Sequence, residues 1–170
     1  LHDALPISLS TKPSSAISAT TYEDGNEVDK ITDKTFTANV AVITTKSLSV
    51  NPGSVTGGVS QYTFSIVTKN SIPANGHILV TLPSDLQITI FDQNSLELST
   101  QLSVDGDPKS ISTTVDTSVT PRVIKIKITD SILAGSTIEI VIPHLKNPDS
   151  TGSTSSFQIQ TTTDDNYLID

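Results

Sequence analysis

The residues with the most specific chemistry in this sequence form two acidic clusters, one near each end. They are Glu23, Asp24, Asn26, Glu27 and Asp29 in the first cluster, and Asp164, Asp165 and Asp170 in the second. Ca²⁺ takes six to eight oxygen ligands, and carboxylates and amides supply them. The clusters therefore suggest calcium sites, although Asp24-x-Asn26-x-Val28 lacks the third ligand of an EF-hand loop. A solvated acidic linker is the simpler interpretation, because runs of charge usually only contact water.

Groupings typical of catalysis are missing from the sequence. There is no cysteine, and the histidines are His2, His77 and His144, too few and too scattered for a zinc site. The segment Gly53-Ser54-Val55-Thr56-Gly57 has valine where a Gly-x-Ser-x-Gly elbow has its nucleophile. We therefore expect a protein that is not an enzyme and needs no cofactor. His77 follows a turn and His144 follows a proline, so both are expected on the surface.

The charge and composition narrow the choice of partners. The net charge of −8 leaves no basic surface for phosphates, so nucleic acid is not an expected partner. No apolar stretch is long enough to cross a bilayer. The chain contains 24 Ser and 25 Thr, which either fill the solvent faces of strands or carry O-glycans on a surface protein. No Asn-x-Ser/Thr sequence occurs, which excludes N-glycosylation.

Alternating apolar and polar residues predict strands from about Thr35 onward, with no sustained helical period. In the clearest strand, Val123–Ile128, the isoleucines face a core, and Lys125 and Lys127 face water. The residues predicted to be buried are Phe64, Ile66, Ile78, Val80, Leu82, Ile124, Ile126, Ile128, Ile138, Ile140 and Ile142. Short strands separated by Gly, Pro and Asn turns predict an all-β fold, an immunoglobulin-like Greek-key β-sandwich.

An internal similarity divides this sandwich into two related units. Asn70–Pro83 aligns without a gap with Asp130–Pro143 at a constant offset (131 − 71 = 60). The alignment predicts two equivalent strand–turn–strand units. In each unit an Ile-x-Ala corner is expected to close one end of the core. The final proline is expected to end its strand, because it cannot donate a ladder hydrogen bond.

A second similarity joins the two ends of the chain. Residues 14–29 align with residues 155–170 at a constant offset (155 − 14 = 141). This alignment predicts a tandem array. Residues 9–29 would be the last strand and exit of a preceding repeat, residues 30–43 a linker and first strand, and residues 44–170 the sandwich module. The extended N-terminal segment is expected to pair, as a donor strand, with a neighbouring copy of the module. Residues 1–8 resemble a translated sequencing-adapter oligonucleotide, and we exclude them from the fold as non-native.

Several short motifs resemble immunoglobulin-like repeats in very large surface proteins of ciliates. They are Tyr62-Thr63-Phe64-Ser65, Asn70–Gly76, Lys146–Gly152, Ser155-Ser156-Phe157 and Tyr167–Asp170. The resemblance concerns packing and turns, so it implies fold and context and transfers no functional residues. It implies an extracellular or cell-surface structural module in a tandem-repeat or fibre-forming protein.

The alternative function is a ligand- or glycan-binding module of the adhesin type. Its specificity would lie in loops such as Asp92–Ser95 or Asp105–Lys109. The sequence contains three Tyr and no Trp, which offers few aromatic rings for stacking on sugars.

Overall fold

Every element of regular structure in the described part of the chain is a β-strand. The computed structural model describes residues 17–23, 26–34, 40–53, 55–88, 99–116, 118–151 and 154–170, with backbone alone for 17–34. The strands are β1 (Ile17–Glu23), β2 (Asn26–Lys34), β3 (Thr44–Asn51), β4 (Val59–Val67), β5 (His77–Thr81), β6 (Gln87–Ile88), β7 (Gln101–Val104), β8 (Asp107–Pro108), β9 (Ile111–Asp116), β10 (Val123–Ile128), β11 (Thr137–Lys146) and β12 (Gln158–Thr162). The all-β prediction is confirmed.

Two antiparallel sheets form the body of the protein. The first sheet has the order β3-β4-β11-β7-β8, with β6 also pairing with β11, and the second has the order β12-β5-β10-β9. Both sheets contribute to one hydrophobic core, which makes the fold a β-sandwich. In immunoglobulin domains, strands ABED face CFG. Here β11, late in the chain, lies between β4 and β7, so the finer immunoglobulin-like assignment is not confirmed.

The core consists mainly of isoleucine. All eleven residues predicted to be buried are buried, and Ile66, Ile78, Ile124, Ile126 and Ile138 have no exposed surface. Burying a side chain of this size stabilises a fold by about 1.5–3 kcal/mol. The alternating pattern of β10, with its isoleucines inward, confirms the register predicted for this strand.

The two lysines of β10 are half-buried rather than fully exposed. Lys125 donates from Nζ to Asn166 Oδ1 at 2.9 Å. Lys127 Nζ lies 3.3 Å from Asp164 Oδ1 in an ion pair. The turn after β12 therefore lies over the outer face of the second sheet, which the alternation within β10 could not indicate.

The two related units are joined by symmetric backbone hydrogen bonds. The first unit runs from β4 to β5 and the second from β10 to β11, and the corners meet where Ile72 and Ile132 bond to each other. Two flanking hydrogen bonds are related by the same offset of 60 residues. Gly135 N–H donates to Thr68 O, and at the equivalent positions Asn75 N–H donates to Ile128 O. The units are thus related by an approximate two-fold axis through this corner.

This symmetry exchanges the two sheets. The first unit leaves the first sheet for the second, and the second unit makes the reverse crossing. As a result β4 pairs with β11 and β5 pairs with β10. Ile66 lies opposite Ile138 just as Ile126 lies opposite Ile78. Each sheet therefore contains one strand from each unit at its centre.

The closing prolines do not behave alike. β5 ends at Thr81, before Pro83, whereas β11 continues through Pro143 to Lys146. The prediction that Pro143 ends its strand is therefore wrong. The pairing register of β11 shifts between Ile142 and Leu145, and His144 has a φ of 61°. A bulge of this kind leaves a residue out of the ladder, so the missing N–H of a proline costs little there.

The alternation in the sequence also predicts strands at Thr35–Val42, Leu86–Phe91 and Leu96–Val104, and these lie only partly within the described residues. For Thr35–Val42, residues 40–42 are described and are not a strand. For Leu86–Phe91 and Leu96–Val104, the described strands are β6 and β7. The loop Asp92–Ser95 lies outside the described residues.

Strands β1 and β2 form a separate hairpin. Ala19 lies opposite Ile31, and Thr20 lies opposite Lys30. The sequence predicted an extended segment without a partner in its own chain, and the structure instead pairs residues 17–23 with residues 26–34. β1 begins at Ile17 and β12 begins at Gln158, and these positions differ by the repeat offset (158 − 17 = 141).

Candidate interface at the open side of the sandwich

The edge strand β3 extends beyond the sheet that faces it. Leu48 lies opposite Phe64 in the β3–β4 ladder, so the two side chains point to the same face of the sheet. Phe64 is 2% exposed, but Leu48 is 45% exposed. Phe157, just before β12, packs edge-on against Phe64 with ring centroids 4.9 Å apart. The second sheet therefore covers β4 and leaves the inner face of β3 partly open.

An open cleft follows from this mismatch between the sheets. It has a volume of about 590 Å³, and residues 154–157 together with Ile159 and Gln160 form one of its walls. Its apolar lining consists of Ala41, Val42, Ile43, Leu48, Phe64, Phe157 and Ile159. A second cleft of about 410 Å³ shares Leu48, Thr154 and Phe157 with the first. The two clefts are therefore adjacent, and we refer to them together as the groove along the open side of the sandwich.

The outer edge of β12 borders this groove. Thr161 N–H donates to Asp170 O at 2.9 Å, and Ile169 N–H donates to Thr161 O at 2.8 Å. Thr163 N–H donates to Tyr167 O at 2.9 Å. The chain therefore turns back after β12 and covers the last part of its edge with its own residues.

Asp170 is buried at the end of this returning segment. Its Oδ1 accepts from Asn70 Nδ2 at 3.1 Å, and its Oδ2 accepts from Thr161 Oγ1 at 3.3 Å. Burial raises the pKa of its carboxyl group, and the hydrogen bonds from Thr161 and Asn70 partly oppose that shift. These contacts anchor the returning segment to the first corner of the core.

The second acidic cluster is not gathered around a common point. Asp164 pairs with Lys127 and Asp170 bonds to Asn70 and Thr161, while Asp165 is exposed. Over the described ranges, no three His, Cys, Asp or Glu side chains are placed to hold a metal ion. The calcium site at residues 164–170 stays a prediction, without support from this geometry.

The first acidic cluster is seen only in its backbone. Glu23 lies opposite Asn26 at the end of the hairpin, and Glu27 and Asp29 follow on β2. Asp24 lies outside the described residues. The pairing of β1 with β2 places Glu23, Asn26 and Glu27 at one end of a two-stranded sheet, and calcium binding there stays a prediction.

The two histidines have different environments. His144 is exposed, as expected. His77 is only 5% exposed, so the prediction of a surface position is wrong for this residue. His77 begins β5, and its Nδ1 lies 3.3 Å from Thr163 O, because the turn after β12 covers it. Burial lowers the pKa of its imidazole, and the Thr163 carbonyl partly opposes this effect.

A buried polar network closes the end of the sandwich beside the smaller cleft. Tyr62 donates from its hydroxyl to Asn147 Oδ1 at 2.7 Å. Asn147 Nδ2 donates to Val55 O at 2.9 Å and to Ser60 Oγ at 3.1 Å. Asn147 is 3% exposed. The pair Asn147-Pro148 predicts only a turn, and the position of Asn147 directly after a long strand is the signal in the sequence that fits its structural role.

Residues 44–167 match the family model described as protein of unknown function (DUF2808). The chain belongs to this family. The DUF2808 match begins at the first residue of β3 and ends in the turn that covers His77, so it spans nearly all of the sandwich. The β1–β2 hairpin lies outside the DUF2808 match. No curated protein matches the chain. Among the residues whose structure is described, no helix has the length and apolar character to span a bilayer.

Proposed function

We propose that this chain is a structural module of an extracellular tandem-repeat or fibre-forming surface protein. Successive modules join head to tail, either along one polypeptide or by strand complementation between neighbouring copies. The chain performs no catalysis in this role. Its work is to resist extension and to set the spacing between modules.

One observation carries the proposal. Within residues 17–34, β1 pairs with β2. At the repeat offset, β12 is followed by a turn and by residues up to Asp170 that bond back onto it. The second segment is part of the sandwich, while the first is a hairpin ahead of it. This is the arrangement expected if the first segment is the end of a preceding module.

The surface of the module also supports an extracellular, architectural role. Ser and Thr occupy many outward positions of the strands, as in β9, where Ser112 and Thr114 are exposed. Such a surface, with a net charge of −8, keeps a long array soluble. The same hydroxyl groups are candidate sites for O-glycans.

Force spectroscopy on an array tests the mechanical role. The array consists of residues 9–170 followed by two further copies of residues 30–170. We expect equally spaced unfolding peaks, each releasing roughly 400 Å of chain, because an extended chain spans about 3.3–3.6 Å per residue and each module contains residues 44–170. Extension without resolved peaks would contradict a mechanical function.

A matched array separates the module from the junction. In this control, residues 30–43 of each added copy are replaced by a Gly/Ser linker of equal length. The unfolding peaks should persist, because the sandwich is unchanged. Small-angle scattering should show a longer, straighter particle for the native junction than for the linker array. Equal dimensions would contradict a junction that sets spacing.

The volume of the groove favours a second candidate, a ligand- or glycan-binding adhesin module. The larger cleft of about 590 Å³ lies in the range of small-molecule sites, about 300–1,000 Å³. Thr154, Ser155 and Ser156 place hydroxyl groups beside Phe157 on its wall. NMR titration with mono- and oligosaccharides tests this candidate. Shifts confined to the lining residues would favour it over the structural role.

A further inference from the structure

The outer edge of β12 is covered along only part of its length. Thr161 directs its N–H and its carbonyl outward, to Asp170 and Ile169. Peptide groups of alternate residues point to the same side in an antiparallel ladder, so Ile159 also directs its N–H and carbonyl outward. Within the described ranges, no strand pairs with this edge ahead of Thr161. A short open edge therefore lies beside the apolar groove.

The two-fold relationship between the units identifies an equivalent edge position in the first sheet, and that position is covered by another strand. Leu102 lies opposite Ile140 on β11, and Ile159 lies opposite Val80 on β5. Ile140 and Val80 are equivalent positions of the two units (140 − 80 = 60), so Leu102 and Ile159 are equivalent edge positions. Leu102 O accepts from Lys109 N–H at 2.9 Å, and Leu102 is 3% exposed. Among the residues that the structure describes, none covers Ile159 in this way, and Ile159 is only half-buried.

The N-terminal hairpin shows which sequence fits this edge. β1 is the repeat equivalent of β12, and β2 pairs along it as far as Lys34. Asp170 is the repeat equivalent of Asp29 (170 − 29 = 141). The residues that would follow Asp170 in the next repeat therefore have the sequence of Lys30–Lys34, which lies within β2.

We propose that the open edge of β12 binds the first residues of the next repeat, with the sequence Lys30-Ile31-Thr32-Asp33-Lys34, as an added antiparallel strand. This proposal rests on the head-to-tail arrangement under "Proposed function". Antiparallel pairing that continues from the Thr161 N–H to Asp170 O bond places the copy of Ile31 opposite Ile159. This register is one residue away from that of the β1–β2 hairpin, where Ile31 lies opposite Ala19, the repeat equivalent of Gln160 (160 − 19 = 141). The side chain of the Ile31 copy then enters the groove between Ile159 and Leu48. The copies of Lys30 and Lys34 occupy other positions of the added strand, so neither of them lies opposite Ile159.

The test extends the full chain by five residues after Asp170, with the sequence of Lys30–Lys34. Amide hydrogen exchange followed by NMR reports on Ile159. We expect the extension to slow exchange of the Ile159 amide at least tenfold, and to give cross-peaks between the Ile159 side chain and the appended copy of Ile31. The variant Ile31→Asp in the appended copy should abolish both effects. The matched variant Thr32→Asp, on the opposite face of the added strand, should preserve them.

Three outcomes would overturn the proposal. They are an unchanged Ile159 exchange rate, an amide already protected without the extension, and equal protection by the Ile31→Asp variant. This result is separable from the mechanical test. Unfolding peaks without protection of Ile159 would support the structural function and contradict the added strand. Protection of Ile159 without unfolding peaks would support the added strand and contradict the mechanical function.

Discussion

Ile72 and Ile132 donate their backbone N–H groups to each other's carbonyl oxygens, both at 2.8 Å. They belong to different units and come from equivalent positions of the internal repeat. Their side chains are 0% and 3% exposed, so the reciprocal bonds are shielded from water. The crossing point of the two units is therefore also one end of the hydrophobic core.

The first prediction concerns this crossing point. Ile72→Ala and Ile132→Ala should each lower the free energy of unfolding by about 2–5 kcal/mol, because each leaves a cavity in a closed core. The neighbouring Leu133 is 72% exposed, and Leu133→Ala should change stability by less than about 0.5 kcal/mol. Urea unfolding followed by circular dichroism measures all three. A cost for Ile132→Ala as small as for Leu133→Ala would contradict the corner described here.

The second prediction concerns pH. Burial lowers the pKa of His77 in the folded state, so the unfolded chain takes up the proton first as the pH falls. The contribution of His77 to stability is therefore complete above its ordinary pKa of about 6.5. It is lost as the pH falls from that value through the lowered one. His77→Gln should therefore lose less stability than the wild type as the pH falls. The melting temperature between pH 7.5 and 5 measures this difference.

The exposed His144 supplies the control for this prediction. His144 has a positive φ, and asparagine tolerates that backbone conformation. His144→Asn should therefore fold normally and keep the acid-dependent loss of stability. If His77→Gln and the wild type lose stability in parallel on acidification, His77 is not the responsible group.

The third prediction concerns the network around Asn147. Tyr62→Phe removes the donor to Asn147 Oδ1 and should cost about 1–3 kcal/mol, because a buried acceptor loses its partner. Asn147→Ala should cost more, since it also removes the bonds to Val55 and Ser60. The double variant should cost less than the sum of the two changes, because both remove the same bond. Strict additivity in a thermal or urea cycle would argue against the bond.

The fourth prediction concerns calcium. The calcium hypothesis predicts that an array with an intact junction melts at a higher temperature with Ca²⁺ than with a chelator, since a bound ion stabilises the folded state. The first acidic cluster should carry the effect, because Asp164 and Asp170 already have protein partners. Asp29→Asn should reduce the difference, and Asp130→Asn, in an exposed corner, should leave it intact. An unchanged melting temperature removes calcium from the account.

The sequence predicted the core because its signal is local. Alternation within β10 and β11 assigns each isoleucine to one face, and burial of Ile124 and Ile138 follows from the strand period alone. The internal repeat likewise predicted the two corners, because Ile72 and Ile132 occupy matching positions. Features that depend on local alternation or on the internal repeat could therefore be predicted from the sequence.

The remaining features depend on residues far apart in the chain. His77 is buried because the turn at Thr163 lies over it, and no residue near His77 indicates that contact. The ladder of β11 passes Pro143 because Leu145 re-pairs with Ser60 on β4. The groove is open because the second sheet ends at β12 and does not fully cover β3. The sequence of neither strand indicates the position of the other. Order within a sheet is set by such long-range pairing, which strand propensity does not determine.

The interleaving of the two units has a consequence for biosynthesis. Because β4 needs β11 and β5 needs β10, neither half of the sandwich can bury its apolar face while the other is missing. A nascent chain must therefore wait until Lys146 has left the ribosome before the core can close, and contacts so distant in sequence form slowly. At about 5–20 residues per second, each module passes several seconds as an exposed, unpaired chain. An abundance of Ser and Thr and a net negative charge would help such a chain to avoid aggregation during that interval.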